Sequence, residues 1–225
     1  MKVTLLNYAD PLIHDVNNRR IFNYEHLAGI ASAICVDKFK YGTDDYSNNM
    51  QQAVNSGHYS VLEHLPVSFL IKDISRALSH QLVRHRIASY SQQSQRYAKI
   101  NTKEEWYIEP ESIVTYSRNI TDKYRDLMEN IAEFYQEMLS KGISKEDARM
   151  ILPNACFTSI IVSMNARSLM EQCQKRLCKR SQWEIRELYT KMKESIKLVY
   201  PTVYNLCAPP CVNDKCKETK PCKGD

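Results

Sequence analysis

RHRIASYSQQSQRY, residues 84–97, contains three arginines, one histidine, three serines, three glutamines and two tyrosines, but no lysine and no acidic residue. Arginine offers a planar fork of donors that binds phosphate and carbonyl oxygens bidentately, serine and glutamine supply neutral donors and acceptors, and tyrosine can stack on a ring. A solvated helix end or a nucleic-acid-binding patch is the alternative interpretation of the two leading arginines. Because a solvated face usually mixes both signs of charge and uses lysine, the composition favours a site that holds a nucleotide.

The whole chain has the composition of an ordinary globular protein. Its 225 residues are 43% hydrophobic and 25% charged, and 5 glycines are too few for a loop-rich all-β chain. The formal net charge of +5 can attract anionic small molecules as well as nucleic acid, so it does not decide between them. The first residues show no signal peptide, and no apolar run reaches membrane-spanning length. We therefore expect a cytoplasmic protein with no membrane association, whose 8 cysteines are thiols or metal ligands.

Hydrophobic periodicity predicts a mixture of helices and strands. Val67, Phe69 and Ile71 alternate as in a strand, and the apolar stripe of residues 121–140 has helical spacing and ends before Gly142. The other predicted elements are strands at 3–8 and 157–164 and helices at 20–39, 75–86, 144–152, 165–178 and 181–200, with the first strand of this paragraph at 66–72. We expect an α/β (mixed α+β) fold with one domain, residues 1–204, and a cysteine-rich tail, residues 205–225.

Four sequence elements resemble the flavin-dependent thymidylate synthase family. The family signature RHR-x7-S is complete between Arg84 and Ser94. GHYSVLEH at 57–64 is similar to the family element G-H-x-S/T-x-x-E-H, and ARMILP at 148–153 is similar to A-R-x-x-L-P. NARSLMEQCQKRLCKRSQWEIR at 165–186 is similar to the family's N-x-R segment followed by a Q-W-E-I helix. Because the four elements occur in the family's order, together they are more specific than any one of them.

This resemblance implies the activity, the cofactor and the assembly of the family. Members convert dUMP to dTMP with the methylene carbon of 5,10-methylenetetrahydrofolate, and FAD reduced by NADPH supplies the hydride, so tetrahydrofolate is released. They are α/β proteins that assemble as homotetramers with active sites shared between subunits. For this chain the resemblance implies dUMP, folate and NADPH as small-molecule ligands, a homotetramer, and no nucleic-acid partner.

The resemblance also assigns residues to two ligands and to one catalytic role. Positions that line FAD in the family correspond to His58, Ser60, Glu63, Arg84, His85, Arg86, Gln92, Asn165, Arg167 and Glu171. Positions near dUMP correspond to Gln81, Leu82, Val83, Arg84, Gln92, Gln93, Ser94, Gln95, Arg96, Arg149 and Arg176. Arg96 and Arg149 would bind the phosphate. Arg176 would be catalytic, because a guanidinium beside N3 and the adjacent carbonyl of uracil stabilises an enolate-like ring.

Several positions differ from the usual family pattern. Gln92 stands where many members have Glu, so it can hydrogen-bond uracil but cannot act as a general base. Glu171 stands where an Asn often contacts the flavin, and Cys178 and Arg180 stand where other members have a His and an Asp. Ser94 has no histidine or acid at a spacing that indicates activation, so we assign it to dUMP binding and not to nucleophilic catalysis.

Two groups of residues offer metal-ligand chemistry. The tail could bind zinc tetrahedrally, form disulfide or redox pairs, or stay flexible without metal, and its four cysteines are Cys207, Cys211, Cys216 and Cys222. Upstream, His58, Glu63 and His64 follow the spacing H-x4-E-H, which does not place two histidines on one helical face as H-E-x-x-H does. We therefore expect these two histidines to pack in the core or to contact the flavin.

Two other functions are compatible with these residues. In the first, the basic segment 76–96 binds RNA or DNA and the protein catalyses no reaction. In the second, a related flavin enzyme acts on another pyrimidine nucleotide. A flavin enzyme is yellow and responds to its nucleotide, whereas a colourless protein that binds nucleic acid in a salt-sensitive way would support the first alternative.

Overall fold

A computed structural model describes residues 1–10, 23–40, 46–213, 216, 219 and 222. Its strands are β1 (Lys2–Tyr8), β2 (Pro66–Ser75), β3 (Ser89–Gln92) and β4 (Phe157–Asn165). Its helices are α1 (His26–Cys35), α2 (Ser47–Asn55), α3 (Arg76–Leu82), α4 (Glu111–Val114), α5 (Arg118–Ser140), α6 (Lys145–Ala148), α7 (Ala166–Arg176), α8 (Trp183–Ser195) and α9 (Pro201–Leu206), with 3₁₀ turns at Tyr59–His64, Arg149–Ile151 and Pro210–Asn213. These elements confirm the predicted mixed α/β fold. None of the described helices is long and apolar enough to cross a membrane.

The described strands form one sheet in the order β1-β2-β4-β3. The two central strands are β2 and β4, and the hydroxyl oxygens of Ser68 and Ser163, one on each strand, lie 2.8 Å apart. Along β2 the side chains of Val67, Phe69 and Ile71 are buried, while the residues between them reach solvent in part. The alternation therefore predicted the strand correctly.

The helix predicted at 75–86 is shorter than its sequence pattern indicates. Ser75 caps the start of α3 with its side-chain oxygen, but α3 ends at Leu82, so the last four predicted residues were wrong. The carbonyl oxygen of His85 instead accepts a hydrogen bond from the Tyr90 hydroxyl at 2.8 Å, and the chain enters β3. The three residues of the RHR signature consequently lie between α3 and β3, not at a helix end.

The other predicted helices are present with slightly different bounds. The long amphipathic helix begins three residues before the predicted start at 121, and the helix predicted at 181–200 ends at Ser195. Of the helix predicted at 20–39, residues 20–22 lie outside the described residues, and α1 covers only its middle. Differences of a few residues at helix ends are usual, because capping and tertiary contacts decide them.

Contacts between Cα atoms divide the chain into two compact units. Unit 1 comprises 72–83 and 91–160 with Met1, and unit 2 comprises 2–71, 84–90 and 161–225. The predicted boundary between a domain and a tail at 204/205 stays a prediction. In unit 2, α9 ends at Leu206, and the side chain of Cys207 is buried.

α5 supplies the core of unit 1. Its buried face carries Met128 and Tyr135, which pack with Ile100, Trp106 and Cys156. The Tyr135 hydroxyl accepts from the Ile100 amide at 3.4 Å, so the one polar atom of this buried ring has a partner. The stripe predicted from helical spacing is thus the packing face of the helix.

α7 and α8 supply much of the core of unit 2. Their buried apolar residues are Leu169, Met170 and Cys173 on α7 and Ile185, Leu188, Tyr189 and Met192 on α8. A buried carboxylate, Glu25, joins the end of the unit to its beginning. Its Oε1 accepts from the amides of Thr202 and Val203 at 2.9 and 3.2 Å, which satisfies two donors in the first turn of α9.

Candidate active site

In unit 2, three residues predicted to line FAD form one ion-pair network. The Arg167 guanidinium donates to Glu63 Oε1 at 2.6 Å and to Glu171 Oε1 at 3.0 Å. Arg167, Glu63 and Glu171 have side chains that are 39%, 48% and 38% exposed, so solvent screens the network and it adds little to stability. The structure thus brings together residues that two separate motifs contribute, 104 positions apart for Glu63 and Arg167.

The start of α7 is joined to the turn that carries Ser60. Asn165 is the N-cap of α7, and its side-chain oxygen accepts from the amide of Ser168 at 2.8 Å. The next amide, that of Ala166, donates to the carbonyl oxygen of Leu65 at 2.7 Å, directly after the 3₁₀ turn Tyr59–His64. The predicted FAD residues of the second and fourth motifs are therefore held in one part of unit 2.

His85 lies among charged groups of α7. Burial lowers the pKa of His85, as does the charge of Lys175, whereas Glu171 raises it and Arg176 lowers it again. The imidazole is therefore neutral at neutral pH. Its Nε2 atom is buried and has no hydrogen-bond partner among the described residues. A buried ring nitrogen of this kind is an open position for a polar group of a ligand.

The remaining predicted ligand residues of unit 2 reach solvent. His58, Arg84 and Arg86 are exposed. Arg176, the predicted catalytic residue, is the last residue of α7 and is half-buried. The guanidinium groups of these arginines are therefore available to a ligand, and Arg176 stands at the same helix end as the groups that act on His85.

In unit 1, two residues predicted to bind the dUMP phosphate meet at one glutamate. Arg96 Nε donates to Glu146 Oε2 at 3.0 Å, and Arg149 Nε donates to the main-chain oxygen of Glu146 at 3.1 Å. Lys145 Nζ donates to the carbonyl oxygen of Tyr97 at 2.8 Å and holds the same two segments together. Arg96 and Glu146 are about half exposed, so the carboxylate can be exchanged for another anion.

Gln92 is held by two hydroxyl groups of unit 1. Its Nε2 lies 2.9 Å from Ser79 Oγ and 3.2 Å from Thr158 Oγ1. Ser79 in turn donates to the carbonyl oxygen of Arg76 at 2.9 Å. Ser79, Thr158 and Glu146 belong to no family element, and local sequence carries no signal for them, because their partners are distant in the chain.

The other predicted dUMP residues of unit 1 lie on either side of this group. Leu82 is buried, so any contact with dUMP must use its main chain, while Gln81 is half-buried and Val83 is exposed. The Gln93 amide donates to the carbonyl oxygen of Ser159 at 2.9 Å. Their neighbours are tied in as well, since Ser94 Oγ accepts from the Arg96 amide and Gln95 Nε2 lies 3.6 Å from Cys156 Sγ.

Arg76 is a cation of unit 1 that the sequence did not indicate. Burial lowers the pKa of Arg76, Cys156 raises it, and the charge of Arg149 lowers it, so the two guanidinium groups are close enough to repel each other. Neither forms an ion pair with a carboxylate within the described residues. Two neighbouring arginines without an acidic partner favour an anion, which is the property that the predicted phosphate site requires.

The tail cysteines do not form a metal centre in the described part of the chain. There, no group of three or more His, Cys, Asp or Glu residues is arranged to hold a metal ion, and this includes His58, Glu63 and His64. Cys207 is buried in unit 2 and hydrogen-bonds Cys173, a contact that, with burial, raises the pKa of the Cys173 thiol. The prediction of a zinc site therefore finds no support in the arrangement of these thiols.

Comparison with known proteins agrees with the fold and the motifs. The family model of the thymidylate synthase complementing protein matches residues 20–202. The flavin-dependent thymidylate synthase of Geobacter sulfurreducens is 43% identical over 230 residues, which cover 97% of this chain and 91% of that protein, and the one of Clostridium tetani is 40% identical with the same coverage. The crystal structure of thymidylate synthase X from Helicobacter pylori with FAD and dUMP has a TM-score of 0.66 at 24% identity, covers 92% of this chain and 98% of that one, and shows the same fold.

Proposed function

The chain belongs to the flavin-dependent thymidylate synthase family, and from this premise we propose that it converts dUMP to dTMP. The methylene carbon of 5,10-methylenetetrahydrofolate becomes the new methyl group, and tetrahydrofolate is released. FAD, reduced by NADPH, supplies the hydride when it is bound. The observation that supports the proposal most strongly is the similarity to flavin-dependent thymidylate synthases along nearly the whole chain.

The residues of unit 2 fit FAD. The neutral imidazole of His85 offers a buried nitrogen without a partner among the described residues, which suits a polar group of the flavin. Arg84 and Arg86 are exposed and can bind the pyrophosphate through charge-assisted hydrogen bonds. We propose that the remaining FAD residues are those assigned by the family resemblance: His58, Ser60, Glu63, Gln92, Asn165, Arg167 and Glu171.

We propose that dUMP is bound by its phosphate and activated through its ring. Arg96 and Arg149, with Ser94 and Gln95 beside them, bind the phosphate, and Arg96 leaves Glu146 to do so. Arg176 donates to the uracil ring and stabilises the negative charge that develops when C5 reacts. The other residues proposed to contact dUMP are Gln81, Leu82, Val83, Arg84, Gln92 and Gln93.

The proposed assembly is a cytoplasmic homotetramer with active sites shared between subunits and a single catalytic domain at residues 1–204. The resemblance to the family supports it, and the same resemblance supports folate and NADPH as the other ligands and no nucleic-acid partner. Light scattering of the purified protein tests the assembly, which should have about four times the chain mass of 26.2 kDa. A monomer would contradict a shared site.

Absorbance spectra of the purified protein, recorded with FAD before and after addition of dUMP, test the proposed function. We expect a flavin band near about 450 nm that changes when dUMP binds beside it. A colourless protein that ignores FAD and dUMP and binds nucleic acid in a salt-sensitive way would support a nucleic-acid-binding protein instead. Exchange of the C5 hydrogen on another pyrimidine nucleotide, and not on dUMP, would support a related flavin enzyme.

A further inference from the structure

We propose that Gln92 presents a fixed carbonyl oxygen to a hydrogen-bond donor of the pyrimidine nucleotide, and that Ser79 and Thr158 are the positioning residues that fix it. This inference rests on the proposed function, because it places Gln92 at the nucleotide. It gives a role to two buried hydroxyl groups that no motif contains. It also gives a consequence to the amide that stands at position 92, where a carboxylate is usual in the family.

The amide nitrogen of Gln92 is directed at two buried hydroxyl groups. Nε2 carries two hydrogens, and the two oxygens within hydrogen-bond distance are Ser79 Oγ at 2.9 Å and Thr158 Oγ1 at 3.2 Å. Ser79 is fully buried, and Thr158 is 3% exposed. The nitrogen end of the amide is therefore held from the interior of unit 1, by α3 on one side and by β4 on the other.

Ser79 decides which way round the amide lies. Its hydroxyl has one hydrogen, which it donates to the carbonyl oxygen of Arg76 at 2.9 Å, so towards Gln92 it can only accept. If the amide were turned over, Oε1 would face an oxygen that has no hydrogen to offer, unless the bond to Arg76 broke. Since either change sacrifices a hydrogen bond at a buried group, the NH₂ group faces the hydroxyls.

The carbonyl oxygen of Gln92 is then the atom left for a ligand. The side chain is half-buried, and Oε1 has no hydrogen-bond partner among the described residues. It is not one of the buried side-chain atoms that lack a partner there, so it reaches the surface. A carbonyl oxygen only accepts hydrogen bonds. It therefore fits N3–H of uracil or the 3′-hydroxyl of the sugar, and it opposes N3 of cytosine, which is itself an acceptor.

A carboxylate at position 92 would not fit this surrounding. Both of its oxygens accept, so Ser79 would have to withdraw its hydrogen from Arg76 in order to donate to it. The amide and the two hydroxyls are thus matched to each other. We expect Gln92→Glu to weaken binding of dUMP, although the substituted residue is the usual one in the family.

Dissociation constants of three nucleotides test the inference, measured by calorimetry on the full-length protein loaded with FAD. The ligands are dUMP, dCMP, which lacks N3–H, and 2′,3′-dideoxyuridine monophosphate, which lacks the 3′-hydroxyl. The wild-type protein should bind the analogue that lacks the bonded donor about 3- to 10-fold more weakly than dUMP, which is the usual size of one hydrogen bond. The analogue that is affected identifies the donor as the base or the sugar.

Three variants connect this discrimination to the network. In Gln92→Met, the discrimination should fall by at least about threefold relative to wild type, because the acceptor is gone. Ser79→Ala and Thr158→Val should each reduce it in part, because the amide is then free to turn. Thr121→Val is the matched control, since Thr121 is equally buried in unit 1 but bonds only main-chain oxygens of its own helix start. It should keep the wild-type ratio of affinities.

The outcomes separate this inference from the proposed function. Equal discrimination in wild type and Gln92→Met overturns the inference while dUMP binding stands. If Ser79→Ala and Thr158→Val weaken all three nucleotides by one common factor, their role is structural only, and the positioning role is overturned. A variant that does not fold leaves its partner in the pair to give the same measurement. A wild-type protein that does not bind dUMP overturns the proposed function and this inference together.

Discussion

Glu146 holds the phosphate-binding arginine Arg96 in the absence of a ligand. Its carboxylate accepts from Arg96, and its main-chain oxygen accepts from Arg149, so the two arginines are positioned before dUMP arrives. A phosphate competes with that carboxylate for the same guanidinium. Glu146 therefore preorganises the arginines and at the same time lowers the affinity of the site, and the balance between the two effects can be measured.

We predict that Glu146→Gln strengthens dUMP binding by about two- to fivefold, because an exposed ion pair of this kind is worth about 0.2–1 kcal/mol and its removal also deletes a negative charge beside the phosphate. Titration calorimetry measures the change. Glu137→Gln is the control, because Glu137 pairs with Lys141 at a comparable exposure elsewhere in unit 1. Weaker binding by Glu146→Gln alone would show that positioning outweighs competition.

Arg176→Ala should lower turnover by about 100-fold or more while FAD binding changes little, because the guanidinium acts on charge that develops in the uracil ring. Steady-state rates and a flavin titration measure the two quantities. Arg186→Ala is a control of the same type, since the Arg186 guanidinium bonds the main-chain oxygen of Lys179. Turnover that survives in Arg176→Ala would remove Arg176 from the chemistry.

The stability of the protein should depend on pH through His85. Burial, with Lys175 as the next cause, holds the pKa of His85 below its ordinary value of 6.5. Between the folded and the ordinary pKa the unfolded chain binds more protons, so stability is present above about pH 6.5 and is lost as pH falls. Urea unfolding at about pH 7.5 and about pH 5 should show a smaller loss for His85→Gln than for wild type. Identical losses, as expected for the exposed control His64→Gln, would contradict this.

Elements with a strong period were predicted well, and elements bounded by distant contacts were not. The stripe of α5 and the alternation of β2 are periodic because each buries one face. α3 was extended too far, since the pattern of 75–86 is helical but the Tyr90 hydroxyl takes the carbonyl of His85. A local pattern does not contain that contact, so it could not mark where the helix ends.

α1 contains a close approach that its apolar pattern also conceals. A Cβ built on Gly29 would lie 2.5 Å from the main-chain oxygen of Tyr46 and 2.8 Å from its Cβ, so only glycine fits between α1 and the residue that precedes α2. We predict that Gly29→Ala destabilises the protein by about 1–3 kcal/mol in urea unfolding, despite the better helix propensity of alanine. Ala31→Ser, on a half-exposed part of α1, should change stability by less than about 0.5 kcal/mol. Equal stability of Gly29→Ala and wild type would mean that the two segments separate freely.

At the scale of the whole molecule, the sequence predicted the family elements but not the groups that support them. Arg84, His85 and Ser94 stand out by residue type and spacing. Thr158 and Glu146 do not, because they act through partners 66 and 50 positions away. Such pairs exist only once the chain has folded, so a single sequence indicates the residues that meet ligands more readily than the residues that position them.

The release of tritium from dUMP labelled at C5 tests the central claim most directly. The purified protein is supplied with FAD, NADPH and 5,10-methylenetetrahydrofolate, and dTMP and the folate product are measured in the same samples. We predict tritium release that matches dTMP formation, that requires FAD and NADPH, and that yields tetrahydrofolate. A protein that binds FAD and dUMP but releases no tritium and forms no dTMP would contradict its assignment as a thymidylate synthase.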